Sequence, residues 1–323
     1  VKSEVEKFVA FMNEENRFLL TSHQDPDGDS IGSLIGLGRF LLERGKDVTI
    51  YNDGSPPDKY RFLDPDGLIK YEKPLKTSKF NRAIVLDCPK MERIGFVRDL
   101  LSDDVISVNI DHHCDNAMFG QINLVDETAA AVGEILCGIL DNYHYPISRK
   151  VAVPLYAALL SDTGGFRFAN TTAACLRCAA RLVEAGADPK SISDSIYSSY
   201  SIESLKLLGK ALENMVSAAG GRICAMTIAK SDLDRTGARL ENSEGFVDYT
   251  MKIPGTEIGM LLKETGNGAI KVSLRSKGKV DVSAIALKYG GGGHREAAGF
   301  STAGSLSDVL GETIAELKRY LDD

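Results

Sequence analysis

The sequence predicts an α/β fold: an N-terminal Rossmann-like parallel-sheet domain followed by a smaller C-terminal α/β domain with a mixed sheet. Three observations carry this. Short apolar runs alternate with segments of helical period through the first part, the pattern of a parallel sheet covered by helices. The chain has 323 residues, 43% hydrophobic and 26% charged, enough for two cores. Between the two parts the composition turns serine-rich, as a linker would.

Taken in order, residues 17–22 form an apolar run ending at His23, and residues 28–44 place Ile31, Leu34, Ile35, Leu41 and Leu42 at helical spacing before Gly45 ends the helix. Residues 47–51, 82–86 and 105–110 read as buried strands, and 128–140, 148–160 and 172–185 as helices. This first domain spans 1–187. A linker is expected at 188–215, serine-rich at first and helical from 202, and a second domain at 216–323. In the latter, 222–229, 269–274 and 280–282 read as strands, and 258–264, 283–288 and 305–320 as helices.

With 38 basic and 45 acidic residues the net charge is -7, so steering toward extended nucleic acid is not expected and an anionic substrate must be handled locally. No apolar run reaches the roughly 18 residues of a membrane span, and acidic residues occupy positions 1–11 where a signal peptide would be basic and then apolar. A cytoplasmic location without membrane partners is the expectation. Six scattered cysteines read as free thiols, and the C-x-x-C of Cys175 and Cys178 as helix packing.

The chemistry concentrates in a few places. His23-Gln24-Asp25-Pro26-Asp27-Gly28-Asp29-Ser30 lies where a strand gives way to a helix, the end of a parallel sheet where ligands bind. Its carboxylates and imidazole call either for a hard divalent cation or for no more than a helix cap, since Asp and Ser are favoured caps. Asp87 and Asp111-His112-His113 each follow a predicted strand, and Asp162 ends an apolar helix. Four of the five histidines, His23, His112, His113 and His294, fall in these motifs or in the glycine run before His294; His144 reads as a turn residue.

These motifs resemble the DHH phosphoesterases over nearly the whole chain: His23-x-x-Pro26-Asp27-x-Asp29, then Asp87, then Asp111-His112-His113, then Asp162. The segment Gly290-Gly291-Gly292-Gly293-His294-x-x-Ala297-Ala298-Gly299 is similar to the signature of the DHH-associated domain. The resemblance implies that His23 and Asp27 hold one divalent ion and that Asp29, His112 and Asp162 hold another, with Asp87 bridging. Mn²⁺ suits such ligands, with Mg²⁺ and Co²⁺ as further candidates. Asp111 would orient His112 from behind, Asp25 would serve either that purpose or the loop, and His113 would polarise the scissile phosphate or protonate the leaving oxygen. Arg275, Gly291, Gly292, Gly293 and His294 would cradle a substrate phosphate.

The most similar branch degrades very short RNAs, about two to five nucleotides, and removes the 3′-phosphate of 3′-phosphoadenosine 5′-phosphate (pAp). Expected partners are therefore short single-stranded RNA or DNA, or pAp, in a protein expected to be a homodimer. A DHH-type inorganic pyrophosphatase is a competing expectation but is not expected to carry the Gly-Gly-Gly-His ending. A RecJ-like exonuclease would need a further domain. A cyclic-dinucleotide phosphodiesterase and a non-catalytic nucleotide-binding regulator complete the alternatives.

Overall fold

The computed structural model describes residues 3–75, 79–198, 200–266 and 268–321. The chain divides into two compact units, Val1–Ser199 and Tyr200–Asp323.

The first unit is built on a six-stranded, wholly parallel sheet. Its strands are β1 (Arg17–Thr21), β2 (Asp47–Tyr51), β3 (Ile69–Lys70), β4 (Phe80–Leu86), β5 (Leu101–Asp111) and β6 (Ile122–Val125), in the order β3-β2-β1-β4-β5-β6. Six helices accompany them: α1 (Glu4–Glu14), α2 (Gly28–Glu43), α3 (Val132–Asn142), α4 (Arg149–Asp162), α5 (Ala173–Glu184) and α6 (Pro189–Tyr197). Both sheet faces are covered. Leu20, Ile84 and Ile110 enter the core built with the helices, while Leu19, Ala83 and Val85 pack under the 3₁₀ segment Met91–Leu100. Burial on both faces is why these strands read as nearly continuous apolar runs. The sequence reading missed α1, β3 and β6, which are short or lie at the margins of the sheet. The cysteines of the C-x-x-C pack where helix packing predicts, Cys175 in the core and the Cys178 carbonyl 3.9 Å from Cys137 Sγ on α3. His144 adopts φ 55° in the turn after α3.

Helix α2 is buried along nearly all its length because it lies directly on α4. Gly28, Gly32 and Gly36 recur every four residues on that contact, and a Cβ on Gly32 would stand 2.4 Å from the Pro154 carbonyl oxygen and 2.9 Å from Ala158 Cβ. A side chain there must separate the helices, and overpacking of this kind costs about 1–3 kcal/mol. Gly32→Val is therefore expected to lower Tm by several degrees in thermal denaturation, whereas Gly138→Ala, where nothing lies within 4 Å, is not.

Of the expected linker at 188–215, the part from 202 is helical as read and belongs to the second unit, while the serine-rich part before it is itself a helix, α6, of the first; the division falls at Ser199, which lies outside the described residues. Two polar residues of the stretch, Asp188 and Ser201, are helix N-caps, and Ser191, Ser193 and Ser195 lie within α6. Asp188 accepts from the Lys190 amide at the start of α6, and Ser201 from the Ser204 amide at the start of α7 (Ile202–Glu213). Ile192 and Ile196 then enter the first core, and Leu207, Leu208 and Ala211 enter a core of the second unit.

The second unit holds a mixed six-stranded sheet: β7 (Val216–Ala218), β8 (Ile223–Ile228), β9 (Ile258–Glu264), β10 (Ala269–Ser276), β11 (Gly292–His294) and β12 (Ala297–Ala303), in the order β11-β12-β10-β9-β8-β7. Among the described residues only β8 and β9 pair in parallel there. Helices α8 (Lys230–Thr236), α9 (Val282–Lys288) and α10 (Leu306–Arg319) complete it with α7. Two expectations are corrected here. Residues 258–264 form a central strand, not a helix; Ile258, Met260 and Leu262 face one core and Leu261 the other, and a strand buried on both faces has no alternation to distinguish it from a helix. Residues 280–282 are not a strand, because the Asp281 carboxylate accepts from the Ser283 and Ala284 amides and so caps α9. Among the described residues no helix is long and apolar enough to cross a membrane.

Candidate metal centre

In the first sheet the strand order reverses between β1 and β4, and in open parallel sheets ligands bind beyond the carboxyl ends at such a switch point. His23 follows β1, Asp87 follows β4, and Asp111 ends β5, followed by His112 and His113. Asp27 and Asp29 stand at the N-terminus of α2, and Asp162 is the last residue of α4. Four distant segments thus deliver their polar residues to one edge. Asp87 takes φ 50°, a conformation that costs a non-glycine residue about 1–3 kcal/mol and persists where its surroundings enforce it.

The ligand-type atoms fall into overlapping groups around Asp87. His23, Asp27 and Asp87 offer one set of atoms within 4.8 Å of one another, and Asp29, Asp87 and His112 offer a second. Around the His112 Nε2 atom lie Asp162 Oδ2 at 3.4 Å, Asp87 Oδ1 at 3.7 Å and Asp29 Oδ2 at 3.8 Å. Its Nδ1 lies 3.2 Å from the Ala129 carbonyl, which can only accept, so Nδ1 carries a proton and Nε2 is the nitrogen turned toward three carboxylates. Ser30 gives its hydroxyl proton to Asp87 Oδ2 at 2.6 Å and lies 2.8 Å from His23 Nε2, so it can only accept from that nitrogen. Nδ1 of His23 is buried and without a hydrogen-bond partner among the described residues, as is Asp87 Oδ1. Imidazole nitrogens and carboxylate oxygens converging in a buried site are ligands that a divalent cation can gather. The donor set fits such ions.

Each carboxylate is held by further groups. Asp29 is fully buried and receives the Val132 and Gly133 amides at the N-terminus of α3, at 2.6 and 3.1 Å, and the Ser33 hydroxyl at 2.9 Å. Asp27 Oδ1 caps α2 by accepting from the amides of Asp29 and Ser30, so the cap reading and the cation reading of this loop hold together. Asp111 does not orient His112 as expected. Its Oδ1 accepts from the His112 backbone amide and lies 2.7 Å from His113 Nδ1, so it orients the ring of His113, while Ala129 orients that of His112. Asp25 faces solvent on the loop.

Burial alone would lower the pKa of His112, but Asp162, Asp29 and Asp87 more than offset it and hold it well above the ordinary imidazole range. His23 and His113 are raised in the same way, against burial, by Asp87 and by Asp111 respectively. Burial, then the charges of Asp87 and Asp162, pushes Asp29 up; burial and then Asp27 push Asp162 up to about 6. Asp87 is held low: burial opposes its charge, but the three imidazoles prevail. For the metal-free protein these shifts share one sign above pH 4. The folded state binds more protons than the unfolded at Asp162 between about 4 and about 6, and at the histidines above about 6.5. Stability of the metal-free chain is therefore expected to fall as pH rises from 4 to 8, and added Mn²⁺ to reverse the trend, which thermal denaturation with and without chelator would measure.

The sequence reading passed over several supports. Asn109, two residues before Asp111 on the same face of β5, donates to the Val85 and Cys88 carbonyls on either side of Asp87 and accepts from Asn116, which also donates to Asp111 Oδ2. Asn52 accepts from the Ser22 amide and donates to the His23 carbonyl. Period-two spacing could have flagged Asn109; nothing local marks Asn52, whose role depends on β2 lying beside β1.

In the second unit, Arg275 is the penultimate residue of β10, with Nε 3.1 Å from Asp248 Oδ1. The glycine run is not a free loop. Gly290 turns the chain at φ 73°, and Gly292, Gly293 and His294 form the edge strand β11 on β12, exposed to solvent. A Cβ on Gly291 would stand 2.1 Å from the Gly299 carbonyl oxygen, so that glycine is required for the close approach of the two strands.

Comparison with known proteins agrees with this architecture. Residues 17–159 match the DHH family N-terminal domain and residues 220–323 the DHHA1 domain. The chain is 33% identical to the bifunctional oligoribonuclease and PAP phosphatase NrnA of Thermus thermophilus, covering 94% of this chain and 90% of that one. It is 29% identical to the protein of the same name from Bacillus subtilis, with 88% of each covered. A solved exopolyphosphatase-related protein from Bacteroides fragilis superposes with a TM-score of 0.92 at 25% identity, over 99% of this chain and 98% of that one. Carrying both domains in family order, with the motif residues gathered at the switch point of its parallel sheet, the chain belongs to the DHH phosphoesterase family.

Proposed function

We propose that the chain is a two-metal phosphoesterase that hydrolyses short oligoribonucleotides, about two to five residues long, and the 3′-phosphate of pAp. The observation that carries this is Asp87, whose buried carboxylate takes part in both ligand groups, with His23 and Asp27 in one and Asp29 and His112 in the other. DHH phosphoesterases are metal-dependent. In this reading His23 and Asp27 hold one ion, Asp29, His112 and Asp162 hold the other, and Asp87 bridges them; Mn²⁺ is the proposed ion. When bound, such a pair supplies an activated water and a clamp on the phosphoryl oxygens.

The remaining chemistry belongs to His113. Asp111 Oδ1 accepts its Nδ1 proton, and Asp87 Oδ1 lies 3.6 Å from the same nitrogen. The two carboxylates favour the imidazolium against its burial, which leaves the Nε2 proton to be delivered to the departing oxygen. Substrate phosphate is assigned to the second unit. There Arg275 is partly exposed, and the strand Gly292–His294 presents the backbone of a sheet edge, whose N–H groups suit a phosphate. Arg275 would exchange Asp248 for phosphate. We assign the protein to the cytoplasm by its likeness to the NrnA relatives, and to a homodimer because two-fold dimers are the commonest assembly of such enzymes.

The test is parallel incubation with Mn²⁺ of a five-nucleotide RNA, pAp, pyrophosphate and a cyclic dinucleotide. Release of mononucleotides from the RNA and of phosphate from pAp is expected. Hydrolysis of pyrophosphate alone would move the chain to the pyrophosphatase branch. Bound Mn²⁺ with every substrate intact would make it a regulator.

A further inference from the structure

We propose that Asn170 is a positioning residue that sets Asp162 and His112 together, so that one amide side chain governs two of the groups assigned to a single metal ion. This rests on the metal reading above. Its Nδ2 lies 3.0 Å from the Asp162 carbonyl oxygen and 3.2 Å from that of Ala130. Both acceptors are carbonyls, so both amide hydrogens are committed and the orientation of the amide is fixed. Oδ1 then points the other way, buried and without a partner among the described residues. A buried acceptor left unsatisfied is costly, and it is retained here in the one orientation that lets the amide join these two backbones.

What the amide joins is specific. The Ala129 carbonyl receives Nδ1 of His112 at 3.2 Å, the N–H of that same peptide, from Ala130, goes to Glu134 Oε2 at 2.8 Å, and the carbonyl of the following peptide, that of Ala130, is held by Asn170. With the peptides on both sides of the Ala130 Cα held in this way, the Ala129 carbonyl that receives the His112 ring is fixed in direction. Through its second hydrogen Asn170 fixes the backbone of Asp162, whose Oδ2 lies 3.4 Å from His112 Nε2. The chain between them is bent to permit this. Gly164, Gly165 and Phe166 take φ of 57°, 75° and 61°, three left-handed residues in succession, and Phe166 has a side chain that disfavours it. Strain of that kind persists where a fixed geometry requires it.

The experiment titrates metal-depleted, full-length protein with Mn²⁺ by calorimetry and by electron paramagnetic resonance, comparing wild type, Asn170→Ala, Asn170→Asp and a core control, Ile139→Val. Asn170→Asp keeps the shape but sets carboxylate oxygen against two carbonyls. Wild type is expected to take two ions per chain. Both Asn170 variants are expected to weaken one of the two by about 10- to 100-fold, the usual cost of losing a group that orients ligands, while the other stays within about twofold of wild type. Two ions bound as in wild type, or two weakened equally as stability falls in the manner of the Ile139→Val control, would overturn the inference alone. A wild-type chain that takes up no Mn²⁺ would overturn the metal reading and this inference with it.

Discussion

Asp87→Asn is expected to lower turnover on pAp and on short RNA by at least about 10³-fold, equivalent to about 4 kcal/mol. The substitution conserves shape and removes only charge, yet this charge is the hub of the site: Oδ2 lies 3.5 Å from His23 Nε2, and Oδ1 lies 3.7 Å from His112 Nε2 and 3.6 Å from His113 Nδ1. Removing one member of a buried charge cluster typically costs about 3–5 kcal/mol, because the partners stay buried without compensation. The loss should therefore appear twice. Bound Mn²⁺ should fall below two per chain, and excess metal should fail to restore turnover. Retention of both ions with turnover within about tenfold of wild type would remove Asp87 from the centre of the scheme.

His113→Gln is expected to leave both ions in place and to lower kcat by about 10²- to 10⁴-fold, the range for loss of a positioned general acid. The pH profile distinguishes this from general damage. His113 acts in its protonated form, so turnover should decline as pH rises through its raised pKa, and His113→Gln should abolish that limb. Asp111→Asn removes the first of the carboxylates that raise this imidazole, so the limb should move to lower pH. An unchanged profile in Asp111→Asn would show that the 2.7 Å contact to His113 does not govern proton transfer.

Much of the candidate site was legible because its residues occupy short motifs at strand ends, where chain direction and side-chain chemistry are local properties. The sheet order was less accessible. β6 and β3 are short, and β9 is apolar on both faces, so no alternation marks it as a strand. The supposed linker shows the limit of composition as a guide, since Ser201 and Asp188 are polar for the purpose of starting helices whose isoleucines and leucines are buried.

Residue order alone was enough to establish the two-part α/β organisation, the family, and the histidines and aspartates that the fold gathers at one edge of the first sheet. How they are held came from the folded chain: Asp111 holds the ring of His113 and not that of His112, Ala129 and Asn170 orient His112 and Asp162, and the glycine run leads into an edge strand. Motif residues are chosen by the chemistry they perform and so announce themselves in isolation. Their supports are backbone carbonyls and amide side chains from segments far apart in the chain, and a carbonyl is common to every residue. Its place is known only when the strands have been set side by side.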